Sequence, residues 1–249
     1  MAEMNEQEVM FQERRNTGTA WTRNKSFDKN GYLVVKDLWD PEELYHPLPE
    51  LRGQLNYYDK DPTHFHHSPL EQQVNGSIAR YWHPQYRTVH SGVRKKLEKE
   101  LGRKLYNTYY YDRYYFPGQP LIKHSDRDAC EISVSIHIST NLPDDQKDWP
   151  FKIKTPDTYT DKKKKDTILV PGEERALVLN AGDGIIYSGC DRPHWRDPMP
   201  GDTKETLVKK KKKIFGKKDT PEEYYYHQIF FHYVLQDGIR AHCAWDRGR

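Results

Sequence analysis

The chain has 249 residues, a mass of 29.6 kDa and a formal net charge of +3. This length is sufficient for one large domain or two small ones, with a sizeable core in either case. Aromatic residues make up 13% of the sequence and bury large areas, which excludes full disorder. No apolar run approaches the ~18 residues of a membrane-spanning helix, so we expect no membrane span.

The charge is distributed unevenly along the chain. Lysines occur in runs at residues 162–165, 209–213 and 217–218. Removing these 11 lysines from the 40 basic residues leaves 29 against 37 acidic residues. The sequence therefore predicts a mildly acidic body with two basic segments rather than a protein that is basic throughout.

The N-terminal residues and the cysteines give expectations about the cellular setting. Residues 1–25 are polar without clear periodicity, and we predict a tail or a loose helix there. They contain no apolar stretch before a small-residue cleavage site, so we expect no secretory signal. Cys130, Cys190 and Cys243 are odd in number and widely spaced, which fits neither a disulfide framework nor a zinc cluster. We therefore expect a reducing, cytoplasmic setting.

The first part of the chain predicts short strands, helices and loops. Residues 31–36 form a β-type run that leads into a short helix with Asp40 as its N-cap. Residues 46–86 are rich in proline, histidine, asparagine and aromatic residues, and we expect loops with short structure. Residues 91–101 predict a helix that ends at Gly102.

From residue 105 onward the pattern changes to strands. The clearest is the segment 131–140, in which apolar and polar residues alternate strictly. Helices at the front followed by successive strands with short turns favour a mainly β fold, an antiparallel barrel or sandwich. We expect residues 26–249 to form one domain, with the basic segments 155–166 and 199–222 as solvated loop insertions. Strands are predicted over residues 106–115, 131–140, 150–154, 167–170, 176–179, 184–187 and 224–235.

His124 and Asp126 form a His-x-Asp motif between a turn and a predicted strand. Residues i and i+2 of an extended segment point to the same side, so the imidazole and the carboxylate converge. His194 is the best candidate for a third ligand, because it follows a Gly-Asp-Gly turn and a strand. Two histidines and one carboxylate form the facial triad of non-haem Fe(II) oxygenases. Since the chain has 12 histidines, ordinary core or surface histidines remain the alternative at this point.

The wider motif resembles a known superfamily. Residues 115–126 (YFPGQPLIKHSD) are similar to the prolyl 4-hydroxylase pattern of Tyr, Gly-Gln and His-x-Asp. Residues 181–187 (AGDGIIY) and the following His194 resemble a second segment of the same superfamily, the Fe(II)- and 2-oxoglutarate-dependent dioxygenases. The resemblance covers about residues 105–198 and the last strand, and less specifically the segment 31–44. These motifs are specific for the superfamily and not for a substrate.

The resemblance implies a double-stranded β-helix, or jelly roll (cupin-like), with a metal site at one mouth. His124, Asp126 and His194 would bind Fe(II), and 2-oxoglutarate and O2 would take the open positions. Oxidative decarboxylation would release succinate and carbon dioxide and produce an oxidant that removes hydrogen from a substrate carbon. The presence of Asp126 disfavours halogenation, because related halogenases have a small residue at this position.

The basic residue that would bind the distal carboxylate of 2-oxoglutarate is displaced from the family pattern. The family places an arginine or lysine about ten residues after the distal histidine, which here is Lys204. Because that position falls in a basic segment, we favour Arg196, whose guanidinium suits a carboxylate. His227 and His232 on the last strand are weaker alternatives. A salt bridge to Asp197 is the other interpretation of Arg196.

Tyrosines near the motif are further candidates for cosubstrate binding. Tyr115 matches the position at which the family often donates a phenol hydrogen bond to the cosubstrate. Tyr109 and Tyr111 are candidates for the pocket wall. The alternative for each of them is an ordinary role in an aromatic core.

The substrate and the role of the lysine runs stay open at the level of sequence. The basic segments suit solubility, contact with nucleic acid, or recognition of an acidic peptide or protein. We expect a peptide or protein substrate, with peptidyl proline as the leading hypothesis and nucleic acid or a small molecule as alternatives. A non-enzymatic jelly-roll binding module is the alternative from another functional class.

Overall fold

Two antiparallel β-sheets organise most of the chain in the computed structural model, which describes residues 22–45, 74, 77–162, 166–203, 206 and 224–246. The described helices are α1 (Lys25–Asn30), α2 (Pro41–Leu44) and α3 (Tyr86–Leu101). The strands are β1 (Tyr32–Val35), β2 (Ile78–Tyr81), β3 (Leu105–Tyr115), β4 (Leu121–His124), β5 (Ile132–Thr140), β6 (Phe151–Lys154), β7 (Thr158–Lys162), β8 (Asp166–Val170), β9 (Glu174–Leu177), β10 (Gly184–Tyr187), β11 (His194–Arg196) and β12 (Tyr226–Leu235).

The sheet topology confirms the predicted fold class. One sheet has six strands in the order β1-β10-β5-β12-β3-β2, and the other has four in the order β4-β11-β6-β9. All neighbours in both sheets are antiparallel. Successive strands alternate between the two sheets from β3 to β6 and again from β9 to β12, which is the winding of a double-stranded β-helix, while β7 and β8 form a separate two-stranded sheet. The fold is mainly β with helices near its N-terminal side, as the sequence predicts.

Strand β5 shows how the first sheet separates two environments. Its isoleucines and its valine, including Ile132 and Val134, pack in one apolar cluster with Val93 and Leu97 of α3. The alternate residues of β5 face the second sheet and are also buried, and they are Ser133, Ser135 and His137. The helix-covered face is therefore apolar, while the face toward the interior of the barrel carries polar side chains.

The helix boundaries follow from capping. Asp40 accepts a hydrogen bond from the Glu42 amide at the start of α2, and Gly102 ends α3 in the left-handed conformation with φ +62°. Both assignments agree with the sequence. Helix α3 begins at Tyr86, before the predicted start at residue 91, because its buried face continues through Tyr86 and Val89 into a stretch that looked like a loop. None of the described helices is long and apolar enough to cross a membrane.

The first basic segment differs from its prediction as a plain loop. Strand β7 lies within residues 155–166 and pairs antiparallel with β8, which begins at Asp166 and extends past the segment. The segment is therefore largely part of a β-hairpin. Residues 163–165 of the lysine run lie outside the described residues, as does most of the segment 199–222. Of the predicted tail, residues 1–21 lie outside them, while Asn24 caps α1 by accepting from the Ser26 and Phe27 amides.

A buried ion pair joins the first sheet to α3. Arg80 Nε donates to both carboxylate oxygens of Asp112, at 3.0 and 2.9 Å, and His227 Nε2 lies 2.7 Å from Asp112 Oδ2. Tyr86 Oη of α3 lies 3.3 Å from the same oxygen. Burial raises the pKa of Asp112, but Arg80 and His227 outweigh it and lower this pKa to about 2. Asp112 is therefore an ionised group held by its partners beneath the helix.

We predict that Asp112→Asn destabilises the fold strongly. The substitution leaves the buried Arg80 guanidinium without its counter-charge, which typically costs about 3–5 kcal/mol. Urea unfolding of the variant measures this loss. The control is Asp144→Asn, in an exposed pair with Lys147, which should change the free energy of unfolding by less than about 0.5 kcal/mol. Equal, small losses in both variants would contradict the assignment.

Candidate metal centre

Pairing of two short strands creates the candidate site. Strands β4 and β11 are neighbours in the second sheet, and His124 is the register partner of His194. The two imidazole centroids are 4.4 Å apart. Asp126 follows β4 by two residues, and its amide donates to the carbonyl of Gly189 at 2.9 Å, in the turn before β11. The backbone thus brings three residues that are far apart in sequence to one point.

The three predicted ligands converge on one carboxylate oxygen. Asp126 Oδ1 lies 3.4 Å from His124 Nε2 and 3.6 Å from His194 Nε2. One ligand atom from each residue lies within 4.8 Å of the others. Distances of this size leave room for one ion between the ligands after a small adjustment, because metal–nitrogen bonds are about 2.1 Å long. The set of two nitrogens and one oxygen suits a divalent first-row metal.

Backbone carbonyls orient both imidazoles. His124 Nδ1 lies 2.6 Å from the Ile122 carbonyl, and His194 Nδ1 lies 2.9 Å from the Arg192 carbonyl. Since a carbonyl only accepts, each Nδ1 carries the proton of the neutral ring and donates it. Each Nε2 is left with a lone pair directed at the site, which is the arrangement of metal-binding histidines.

Burial and mutual contacts set the charge states at the site. Burial lowers the pKa of His194 to about 4, and the rings of Tyr187 and Phe151 flank this histidine. Burial raises the pKa of Asp126, yet the nearby histidines outweigh it and hold this pKa well below its ordinary range. For His124 burial lowers the pKa, but the hydrogen bond and charge of Asp126 raise it overall. At neutral pH the site therefore presents an ionised carboxylate beside a neutral His194.

Gly189 leaves the space that the carboxylate needs. A Cβ atom at this position would lie 2.5 Å from Asp126 Oδ2 and 2.3 Å from the Cys130 carbonyl oxygen. Those distances are shorter than real Cβ contacts, so a side chain here would displace Asp126. No motif in the sequence marks this glycine, because its role depends on a contact between distant residues.

Arg196 is a buried cation whose hydrogen-bond partners among the described residues are neutral groups. It lies two residues after His194 on the same face of β11 and is 1% exposed. Its guanidinium donates to the Trp149 carbonyl and to Gln228 Oε1, the latter at 3.0 Å, and stacks on the rings of Trp149 and Tyr226. Its Nε has no hydrogen-bond partner among the described residues. A buried positive charge of this kind favours an anion nearby.

The tyrosines predicted to bind a cosubstrate lie inside the barrel. Tyr115 is fully buried, and its hydroxyl lies 3.5 Å from Gln228 Nε2. Gln228 is also a hydrogen-bond partner of Arg196. Tyr109 Oη lies 3.2 Å from the Cys130 sulfur, and Tyr111 stacks on Phe230 at 4.6 Å. All three share the interior face of β3, but only Tyr115 lies beside Arg196.

The remaining basic candidates take different places. His227 contacts Asp112 beneath α3, on the other side of the sheet from the metal ligands, so it is wrong as a cosubstrate anchor. His232 faces the interior and contacts Ser133 near Asp126. Lys204 lies outside the described residues. Arg113, which the sequence analysis did not single out, is also buried inside the barrel, and its charge acts on His124.

Other buried polar atoms point into the same interior without a partner. Ser135 Oγ and His137 Nε2 have no hydrogen-bond partner among the described residues. Burial, with the charge of Arg196 in addition, lowers the pKa of His137 to about 4, and both side chains stack on the ring of Tyr226. An interior lined in this way is suited to a polar ligand or to ordered water.

Comparisons with known proteins support the fold at low sequence identity. No protein-family model matches the chain, and no curated protein matches its sequence. A 2OG-Fe(II) oxygenase family protein from Burkholderia pseudomallei has a TM-score of 0.50 and 10% identity, over 90% of this chain and 91% of that one. The carbocyclase SnoK from nogalamycin biosynthesis, described as non-heme and alpha ketoglutarate dependent, has a TM-score of 0.50 and 12% identity, over 95% and 86% of the two chains. The chain therefore shares its fold with oxygenases of this kind.

A prolyl hydroxylase from Trichoplax adhaerens, solved with a peptide fragment, is a more distant match. Its TM-score is 0.48 at 13% identity, over 94% of this chain and 95% of that one.

We predict that metal binding depends on a single proton below neutral pH. His124 has a raised pKa and holds a proton that a metal must displace, whereas His194 stays neutral down to about pH 4 and Asp126 stays ionised. Between about pH 5 and 6 the association constant for Co(II) should rise about tenfold per pH unit. Absorbance titrations at several pH values measure this slope. A pH-independent constant, or a slope of about two, would contradict these charge states.

Proposed function

We propose that the chain is an Fe(II)- and 2-oxoglutarate-dependent dioxygenase that hydroxylates a substrate carbon and releases succinate and carbon dioxide. The observation that carries the proposal is the convergence of His124, Asp126 and His194 on one point at the mouth of the barrel. Three protein ligands on one face of an octahedral ion leave three positions for the cosubstrate and O2.

The residues present fit Fe(II). Both histidines direct Nε2 at the site, His194 as a neutral ring and His124 after loss of one proton to the metal, and Asp126 is ionised. Such nitrogen and oxygen ligands keep iron open to exchange and to oxygen chemistry. When bound, Fe(II) together with 2-oxoglutarate and O2 supplies the oxidising power for hydrogen removal from the substrate. The protein orients the ligands and excludes water from the buried side of His194 through the rings of Tyr187 and Phe151.

The interior also fits a dicarboxylate. Arg196 lies two residues from His194 along β11, about 7 Å at the rise of an extended strand. Its Nε has no hydrogen-bond partner in the described part of the chain, and Gln228, Tyr226 and Tyr115 surround its other end. We therefore assign Arg196 to the distal carboxylate of 2-oxoglutarate, which a guanidinium binds in a bidentate manner. The other carboxylate and the 2-oxo group would bind the metal.

An aromatic wall beside Asp126 supports an apolar substrate residue, with peptidyl proline as our choice. Tyr81 stacks on Tyr111 at 4.8 Å, and Trp82 lies 6.5 Å from Tyr109 by ring centroids. Tyr109 and Tyr111 stack on His232 at 4.5 and 5.9 Å, and His232 contacts Ser133, a partner of Asp126, so both rings lie near the site. Tyr81 and Trp82 are only half-buried, so the wall reaches the surface, where a peptide could enter. A compact, apolar ring such as that of proline packs well on such rings.

We predict succinate formation coupled to hydroxylation of a proline-containing peptide. The full chain with Fe(II), 2-oxoglutarate and O2 is tested against proline-rich peptides, oligonucleotides and free amino acids, with succinate and an added oxygen atom on the substrate as readouts. His124→Ala should abolish turnover with the fold intact, because it removes a metal ligand. The control is His242→Ala, which changes an exposed histidine with the same type of contact to a carbonyl.

Two results would contradict this prediction in different ways. Turnover that survives His124→Ala would overturn the ligand assignment. If oligonucleotides or free amino acids stimulate succinate formation and peptides do not, the dioxygenase activity stands and the choice of a peptidyl substrate is wrong.

We predict that Arg196→Met raises the KM for 2-oxoglutarate about 100-fold, since loss of a buried, hydrogen-bonded charge partner typically costs 2–5 kcal/mol. Arg196→Lys keeps the positive charge but not the planar guanidinium. Its KM for 2-oxoglutarate should lie between those of Arg196→Met and the wild type. The control is Lys123→Met, on the neighbouring strand, where Lys123 pairs with Glu174 and is half-exposed. An unchanged KM in Arg196→Met would contradict the assignment and direct attention to Arg113.

A further inference from the structure

The second oxygen of the Asp126 carboxylate has its own partner inside the barrel. Asp126 Oδ1 faces the two histidines, whereas Asp126 Oδ2 lies 3.0 Å from Ser133 Oγ. Ser133 comes from β5 of the opposite sheet, and its hydroxyl also lies 3.0 Å from His232 Nδ1 on β12. The result is a chain of hydrogen bonds that runs from His232 through Ser133 to the metal-binding carboxylate.

The chemistry of the groups fixes the direction of this chain. A carboxylate and a carbonyl only accept, so the single proton of the Ser133 hydroxyl goes to Asp126 Oδ2 at 3.0 Å or to the Cys130 carbonyl at 3.2 Å, and the nearer, charged oxygen is the stronger acceptor. His232 Nδ1 must then be the donor to Ser133 Oγ, and His232 carries its proton on Nδ1. Tyr187 is a further side-chain partner of Ser133, and the hydroxyl has a second lone pair for it.

Packing holds each member of the chain in place. His232 is 2% exposed and stacks on Tyr109 at 4.5 Å. Its Nε2 has no hydrogen-bond partner among the described residues, so its defined polar contact is the one to Ser133. A Cβ atom on Gly189 would lie 2.5 Å from both Ser133 Oγ and Asp126 Oδ2, so the absence of a side chain there permits the contact.

We propose that Ser133 and His232 are positioning residues for the metal centre. They hold the Asp126 carboxylate so that Oδ1, and not Oδ2, is presented to the metal between His124 and His194. Without the Ser133 donor the carboxylate can rotate about its terminal torsion, which is intrinsically soft. The inference rests on the proposed metal site, but metal binding is measured without 2-oxoglutarate, substrate or turnover.

The first test measures Co(II) affinity by absorbance, without cosubstrate. Ser133→Ala should weaken Co(II) binding about 10–100-fold, as loss of an outer partner of a metal ligand typically does. The matched control is Ser135→Ala, two residues along the same strand and on the same face, whose Oγ has no hydrogen-bond partner among the described residues. Ser135→Ala should bind Co(II) like the wild type, and urea unfolding shows that both variants fold.

The second test separates the donor role of His232 from its packing. His232→Leu removes the donor and should weaken Co(II) binding like Ser133→Ala. His232→Asn places an amide N–H close to the position of Nδ1 and should restore most of the affinity. Nitrogen-15 NMR of the metal-free wild type should show His232 with its proton on Nδ1 and none on Nε2.

The outcomes distinguish this inference from the proposed function. If the wild type binds Co(II) and Ser133→Ala binds it equally well, the positioning role is wrong while the metal site stands. The positioning role is also wrong if His232→Asn binds Co(II) no more tightly than His232→Leu, or if the His232 proton lies on Nε2. If the folded wild type binds no Co(II), both the metal site and the positioning role are overturned.

Discussion

The antiparallel pairing of β4 with β11 is the constraint on which the rest of the site depends. It places His124 opposite His194, so that two imidazoles from distant parts of the chain share one side of the second sheet. The turn after β4 then returns the Asp126 backbone to Gly189, which brings the carboxylate beside the rings. Backbone pairing therefore sets the position of the three residues, and side-chain contacts such as that of Ser133 set the orientation of the carboxylate.

Polar side chains line the interior of the barrel, in contrast to the apolar face beneath α3. The apolar residues of β5 pack against α3, which leaves the opposite face of this strand to serines and a histidine. On that face the buried charge of Asp126 is compensated by histidines and a serine, whereas the hydrogen bonds of Arg196 go to neutral groups. An interior with a compensated anion and a cation held by neutral partners fits the metal and the anionic ligand that we propose.

Much of this arrangement can be predicted from the sequence, because it depends on residues that are close together in the chain. The His-x-Asp motif predicts convergence because residues two apart on an extended chain share a face, and alternation in 131–140 identifies the helix-covered side of β5. Capping at Asp40 and Gly102 follows from the chemistry of single residues. The sequence also suggested Arg196 from its distance to His194.

Other features depend on contacts between strands that no local pattern encodes. Ser133 looked like an ordinary polar residue in an alternating strand, and only the opposite sheet shows that it contacts Asp126. His227 and His232 are equivalent candidates in sequence, yet they lie on opposite faces of β12, where one contacts Asp112 and the other Ser133. The hairpin of β7 and β8 was obscured by its lysine run, which suggested a solvated loop.

The central claim is that three side chains hold one iron with positions left open for 2-oxoglutarate. The most direct measurement is an anaerobic titration of the full chain with Fe(II) and 2-oxoglutarate, followed by visible absorbance. The account predicts a metal-to-ligand charge-transfer band that appears only when both are present, with one iron bound per chain. Folded protein that shows no such band at saturating Fe(II) and 2-oxoglutarate would contradict it.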